Sequence, residues 1–377
     1  MIHFYTLFPP AENVHILKDV GMIPYVLYRD YGYESTLVAF RKNDHFLALE
    51  NEACGLKMDF IDPDPHYRFG KPSYAVIKYI WKNASKMDVL NLYHNTKETL
   101  LYGLIYKMRN TKGVLYIKLD LNVERFEQCL TRWKHIGYSF FFEKIASIVS
   151  YELDGVGIYL HSSFPFLKSK LIKITNGIDD RFIADQHIRI YSFDEKENLI
   201  VVVGRIGAPE KNHELFLKAL NQIDLKDWRV AFIGPVEQSF QIVVNDFFVK
   251  HPNLKDKVIF TGAIYDRKIL YSWYNRAKVF CLTSWWESFA IVLVEALYFA
   301  NYIITSRISS AEELTDYERI GRVFSSDDEF VELLQCVVNG NIHLEDFYDS
   351  IRDYSRNFVW KDILKPLNFQ IEKVING

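Results

Sequence analysis

Short apolar runs alternate along the chain with longer amphipathic stretches, and Gly, Pro, Asn and Asp punctuate the joints. That is the rhythm of strands and helices in an α/β protein. In the first half the pattern predicts a strand within MIHFYTLFPP, a helix from Asn13 towards Ile23, and a strand at Ser35–Phe40. A long loop follows over Asp59–Pro72, then a helix at Ser73–Ala84, a strand at Asp88–Tyr93 and a helix at Glu98–Met108. The strand GVLYIKLD ends at Asp120; a helix within Gly137–Ser150 and a strand near Gly157–Leu160 complete this half. After a polar stretch the alternation restarts, with strands at Leu199–Val203, Arg229–Ile233, Lys257–Phe260, Val279–Leu282 and Tyr302–Thr305, and an apolar helix at Phe289–Phe299. Runs this apolar suit parallel sheets covered on both faces. The expected organisation is a domain over 1–165, a second over 166–355, and a helical tail over 356–377 that Pro366 breaks and that can pack back on the first domain.

Composition narrows the class. With 377 residues, 49% hydrophobic, the chain can build two cores. A net charge of -3 argues against a general nucleic-acid surface. The four cysteines lack metal or redox spacing and read as thiols of a reducing cytosol. There is no signal-peptide pattern and no spanning apolar segment, so the expected location is the cytoplasm. Contact with the inner face of a membrane stays open: Arg132–Lys144 and Tyr67–Lys82 both mix bases with aromatics. The competing reading of those aromatics is ordinary core packing.

Candidate chemistry gathers at predicted strand ends. Glu287 falls just before the helix beginning at Phe289, and Glu295 lies about two turns along it. There the first backbone N–H groups of that helix can hold phosphate. Arg205 emerges after Leu199–Val203 and Lys211 precedes the next helix, two cations suited to a diphosphate. The alternatives are a solvated pairing of these cations with Glu210 and Glu214, and structural roles for both acids. Asp120 closes its strand and faces a cleft or pairs with Lys118; His94, His161 and His213 stand near element ends. The glycine fingerprint of dinucleotide binding is absent from PPAEN after the first strand, and no phosphate-loop, His-Glu-x-x-His or nucleophile-elbow pattern occurs.

The ordered set NGID at Asn176–Asp179, GR before EKN, TG at Thr261–Gly262, and ESFAIVLVEA resembles retaining GT-B glycosyltransferases of the large family 4 group. The resemblance implies two Rossmann-like domains facing each other across a cleft, a nucleotide diphosphate sugar as donor, and no metal or separate cofactor. It implies that Arg205 and Lys211 bind the donor diphosphate, Glu295 the ribose hydroxyls, and Glu287 the transferred sugar, while backbone N–H groups of Ser288, Phe289, Ala290 and Ile291 help hold the phosphate and sugar. The acceptor implied is a saccharide or lipid-linked saccharide in bacterial cell-surface polysaccharide or glycoconjugate synthesis, with Asp120 on the acceptor side. Relatives often carry Gly where this chain has Ser288, Ala290 and Ala300, and His where it has Leu119. A nucleotide-sugar epimerase, a phosphorylase-like enzyme and a non-catalytic nucleotide-sugar-binding subunit share the architecture and remain as alternatives.

Overall fold

A computed structural model describes residues 1–41, 46–120 and 137–377. The chain divides into two compact units, Met1–Gly177 with Trp360–Gly377, and Ile178–Val359. The first unit therefore runs past residue 165, because the short strand at Leu171–Lys173 still pairs with the strand before it.

Unit one holds a seven-stranded sheet of β1 (His3–Leu7), β2 (Glu34–Phe40), β3 (Lys57–Ile61), β4 (Val89–Tyr93), β5 (Val114–Lys118), β6 (Ile148–Tyr151) and β7 (Leu171–Lys173). Its order is β3-β2-β1-β4-β5-β6-β7, and every pair is parallel. Central strands β4 and β5 are buried at every position, which is why apolar residues fill them apart from Asn91 and Lys118. Two expectations fail here. The loop over Asp59–Pro72 begins inside edge strand β3, and Gly157–Leu160 belongs to the helix Asp154–Ser163. In that helix Val156, Gly157 and Leu160 are buried, the spacing of a helical face. The C-terminal helix Lys365–Asn376 carries Pro366 in its first turn, where a missing N–H costs nothing. Trp360, Leu364, Leu367 and Ile371 pack into the same core as Phe4, Ile23 and Val26.

Unit two holds β8 (Glu197–Val203), β9 (Arg229–Ile233), β10 (Val258–Phe260), β11 (Ala277–Leu282), β12 (Tyr302–Ser306) and β13 (Gly321–Phe324), in the order β10-β9-β8-β11-β12-β13. All pairs are again parallel. The chain leaves β8 towards β9 and β10, then returns to β11 on the other side of β8. The carboxyl ends of β8 and β11 thus flank the topological switch point, where open α/β sheets bind ligands. Close backbone approach there depends on Gly234, at φ 141°, whose added Cβ would sit 1.8 Å from the Gly204 carbonyl oxygen.

Candidate functional site

The loop after β8 is held by backbone hydrogen bonds, to the turn after β9 and within itself. Ile206 N–H donates to the Pro235 carbonyl at 2.9 Å, and Lys211 N–H to the Ala208 carbonyl at 2.9 Å. Buried His213 caps the loop: its Nδ1 accepts the Gly207 N–H at 3.0 Å. Accepting through Nδ1 requires that nitrogen to be unprotonated, and burial pulls the His213 imidazole down to about 4, so the neutral form is the resident one.

The turn after β11 is tied to this loop. Thr283 Oγ1 donates to the Lys211 carbonyl at 2.8 Å, and Trp285 N–H to the Glu210 carbonyl at 2.8 Å. Lys211 Nζ and Ser284 Oγ both donate to Glu287 Oε1, at 2.5 and 2.7 Å. Lys211 and Glu287, predicted separately beside two helix starts, form one largely buried ion pair at the switch point. Arg205 stands apart from it: the guanidinium is 62% exposed, bonds Glu210 and lies 3.9 Å from Glu237.

The helix after β11 spans Ile291–Tyr298 and starts from Ala290 in the left-handed region, φ 59°. Ala290 has no side-chain acceptor to cap the first N–H groups; its carbonyl takes the Leu293 N–H at 2.9 Å, and a helix start without a side-chain cap suits an anion. Ser310 Oγ donates to the Phe289 carbonyl at 2.8 Å and fixes the entry. Glu295 is 8% exposed; Arg267 donates to its Oε1 at 2.9 Å and Tyr274 to its Oε2 at 2.8 Å. Burial, reinforced by the Glu295 charge, pushes the Tyr274 hydroxyl well up and keeps it a donor. A carboxylate has about four lone-pair sites, so both oxygens retain capacity for ligand hydroxyls. Sequence reasoning missed Arg267 and Tyr274, although seven-residue spacing places them on one helix face.

In unit one Asp120 is exposed just beyond β5, and Lys118 does not pair with it. Lys118 is fully buried and instead meets Glu152 at 2.6 Å and Asp19 at 3.5 Å, while Asn176 Nδ2 donates to Glu152 at 2.8 Å. Burial pushes the Glu152 carboxyl up to about 7 against the pull of Lys118. His94 sits at φ 62° after β4, its N–H donating to the Lys118 carbonyl at 2.8 Å. Its imidazole is depressed by burial, and with Phe8, Phe69 and Glu98 it lines a narrow aromatic pocket beside the β1–β4 switch. His161 is exposed at a helix end. Of the segment Arg132–Lys144, residues 132–136 lie outside the described residues, while Phe141 and Phe142 are core. Among the described residues, no helix is long and apolar enough to cross a membrane.

Residues 184–357 match the family described as "Glycosyl transferases group 1". Over 178 residues the chain is 30% identical to the GalNAc-alpha-(1->4)-GalNAc-alpha-(1->3)-diNAcBac-PP-undecaprenol alpha-1,4-N-acetyl-D-galactosaminyltransferase of Campylobacter jejuni, covering 44% of this chain and 46% of that one. A second relative, a probable sucrose-phosphate synthase of Thermosipho melanesiensis, is 24% identical over 56% of this chain and 49% of that one. The matches thus span about half the length of each curated relative. Among solved structures, Anabaena HepE in complex with UDP and glucose superposes over 100% of both chains with a TM-score of 0.67 and 16% identity. At that identity the likeness speaks for the fold: the chain has the GT-B type of α/β architecture, and its second unit carries the glycosyl transferases group 1 match.

Proposed function

We propose that the protein is a retaining glycosyltransferase that moves a sugar from a nucleotide diphosphate sugar to an acceptor hydroxyl, in building a bacterial cell-surface polysaccharide or glycoconjugate. One observation carries the reading: Lys211 and Glu287 meet at the β8–β11 switch point, beside a helix start with no side-chain cap. In this reading the diphosphate lies against the N–H groups of 288–291, with Lys211 and the unburied Arg205 guanidinium neutralising the charge that grows as the sugar–phosphate bond breaks. Glu287 takes hydroxyls of the transferred sugar and Glu295 those of the ribose. The departing phosphate oxygen accepts the proton of the incoming hydroxyl on the same face, so no enzymic nucleophile is needed. Asp120 belongs to the acceptor side. The Campylobacter relative is named for an undecaprenol-linked saccharide, which supports a lipid-linked saccharide acceptor here. The UDP complex of HepE supports the nucleotide donor.

Transfer from a panel of nucleotide sugars tests this. Glu287→Ala and Arg205→Ala should each lower the rate by about 10²–10³. Undiminished transfer in both variants would sink the assignment, and an epimerised nucleotide sugar formed without acceptor would replace it with the epimerase reading.

A cytoplasmic location at the membrane surface completes the proposal. Between Lys71 and Lys112 eight Lys and Arg stand against two acids, in a chain of net charge -3. Exposed Tyr74, Trp81 and Met108 share the helices Tyr74–Asn83 and Lys97–Arg109 with exposed Lys78, Lys82 and Arg109, whose guanidinium lies 4.6 Å from the Trp81 ring. Co-sedimentation with phosphatidylglycerol vesicles should fall in Lys78→Glu/Lys82→Glu; equal binding to neutral vesicles would count against it.

A further inference from the structure

The turn that carries Glu287 also carries Trp285 and Trp286, and both indoles stand in solvent, 67% and 66% exposed. Two adjacent large apolar side chains left in water forfeit burial energy that a protein ordinarily recovers. The turn beneath them is not loose. Trp285 N–H is bonded to the Glu210 carbonyl, Ser306 Oγ donates to the Ser284 carbonyl at 2.5 Å, and the flanking Ser284 and Phe289 are buried. Both indoles are therefore displayed by a held backbone, immediately before the carboxylate at the switch point.

We propose that Trp285 and Trp286 form an aromatic platform for a pyranose ring of the saccharide acceptor, an inference that rests on the glycosyltransferase reading above. A pyranose presents patches of C–H to an aromatic face while its hydroxyls seek polar partners at the rim. Two residues beyond Trp286, the exposed Ser288 hydroxyl supplies such a partner. An anionic lipid surface is a poorer match, because Thr283–Ile291 contains no Lys or Arg, and the neighbouring Lys211 is already paired with Glu287.

The test measures binding of p-nitrophenyl glycosides in gluco, galacto, N-acetylgluco and N-acetylgalacto configuration to the full chain by saturation-transfer NMR. It compares wild type, Trp285→Ala/Trp286→Ala and Trp285→Phe/Trp286→Phe. The platform predicts that at least one glycoside binds wild type, weakens about tenfold in the double Ala variant and recovers in the double Phe variant. The dissociation constant for UDP, GDP or ADP, whichever binds, should stay unchanged, as should the thermal midpoint, since both side chains are exposed. Equal glycoside binding in the double Ala variant overturns the platform, and so does a wild type that binds none of the four. Weakened nucleotide diphosphate binding would assign the indoles to the nucleoside instead, and lost co-sedimentation with phosphatidylglycerol vesicles would assign them to lipid. Failure of every nucleotide diphosphate to bind wild type strikes the donor site, while the glycoside comparison still decides the platform.

Discussion

His213 ties proton chemistry to the shape of the loop that holds Arg205. Its folded imidazole titrates at about 4, whereas an unfolded histidine titrates near 6.5, so between those values the unfolded chain binds the extra proton. This contribution is full above about pH 6.5 and is lost as pH falls towards 4. Between pH 7 and 5 the wild type should lose about 2 kcal/mol more unfolding free energy than His213→Gln, measured by urea melts at both pH values. Parallel losses would mean that the imidazole is not held neutral. The residues that sequence reasoning chose at this scale were charged residues in telling places: Arg205 at a strand end, Lys211 and Glu287 beside helix starts, and Glu295 within an apolar helix. Their partners were harder to see. Tyr274 and Arg267 meet Glu295 from a different element, and Lys118 bypasses nearby Asp120 for Asp19 and Glu152, which lie far along the chain.

Elements were legible in proportion to their burial. Strands β8, β9, β11 and β12 were read to within two residues at each end, because central parallel strands are unbroken apolar runs. Edge strands β3 and β13 and the three-residue β7 were missed, since they carry little apolar signal, and the largely buried four-residue β6 was missed because it overlaps the helix expected within Gly137–Ser150. GIYL at Gly157–Leu160 shows the opposite failure: four apolar residues fit a strand as well as a buried helix turn. The helix Ile291–Tyr298 begins and ends on alanines with positive φ, Ala290 at 59° and Ala300 at 54°. A Cβ in that region costs about 1–2 kcal/mol, partly offset by the extra freedom glycine has when unfolded. Ala290→Gly and Ala300→Gly should each raise unfolding free energy by about 0.5–1 kcal/mol in chemical denaturation. A loss of stability in both would show that the left-handed backbone is not strained.

At the scale of the molecule, each unit is a parallel sheet with its own switch point, and the chain's final helix returns to the first unit's core. The sequence rhythm showed two α/β halves, but the boundary was blurred by β7, too short to register, so the first unit extends to Gly177. The second unit alone brings together the cations, the acids and the open helix start from which donor binding is argued. Calorimetric titration of UDP, GDP and ADP into wild type, Lys211→Ala and Arg205→Ala is the most direct test of that claim. At least one nucleotide diphosphate should bind wild type, and each variant should bind it about 10–100-fold more weakly, the worth of one charge-assisted contact to phosphate. Absence of binding by all three, or equal affinity in wild type and both variants, would contradict a nucleotide-sugar site at the β8–β11 edge.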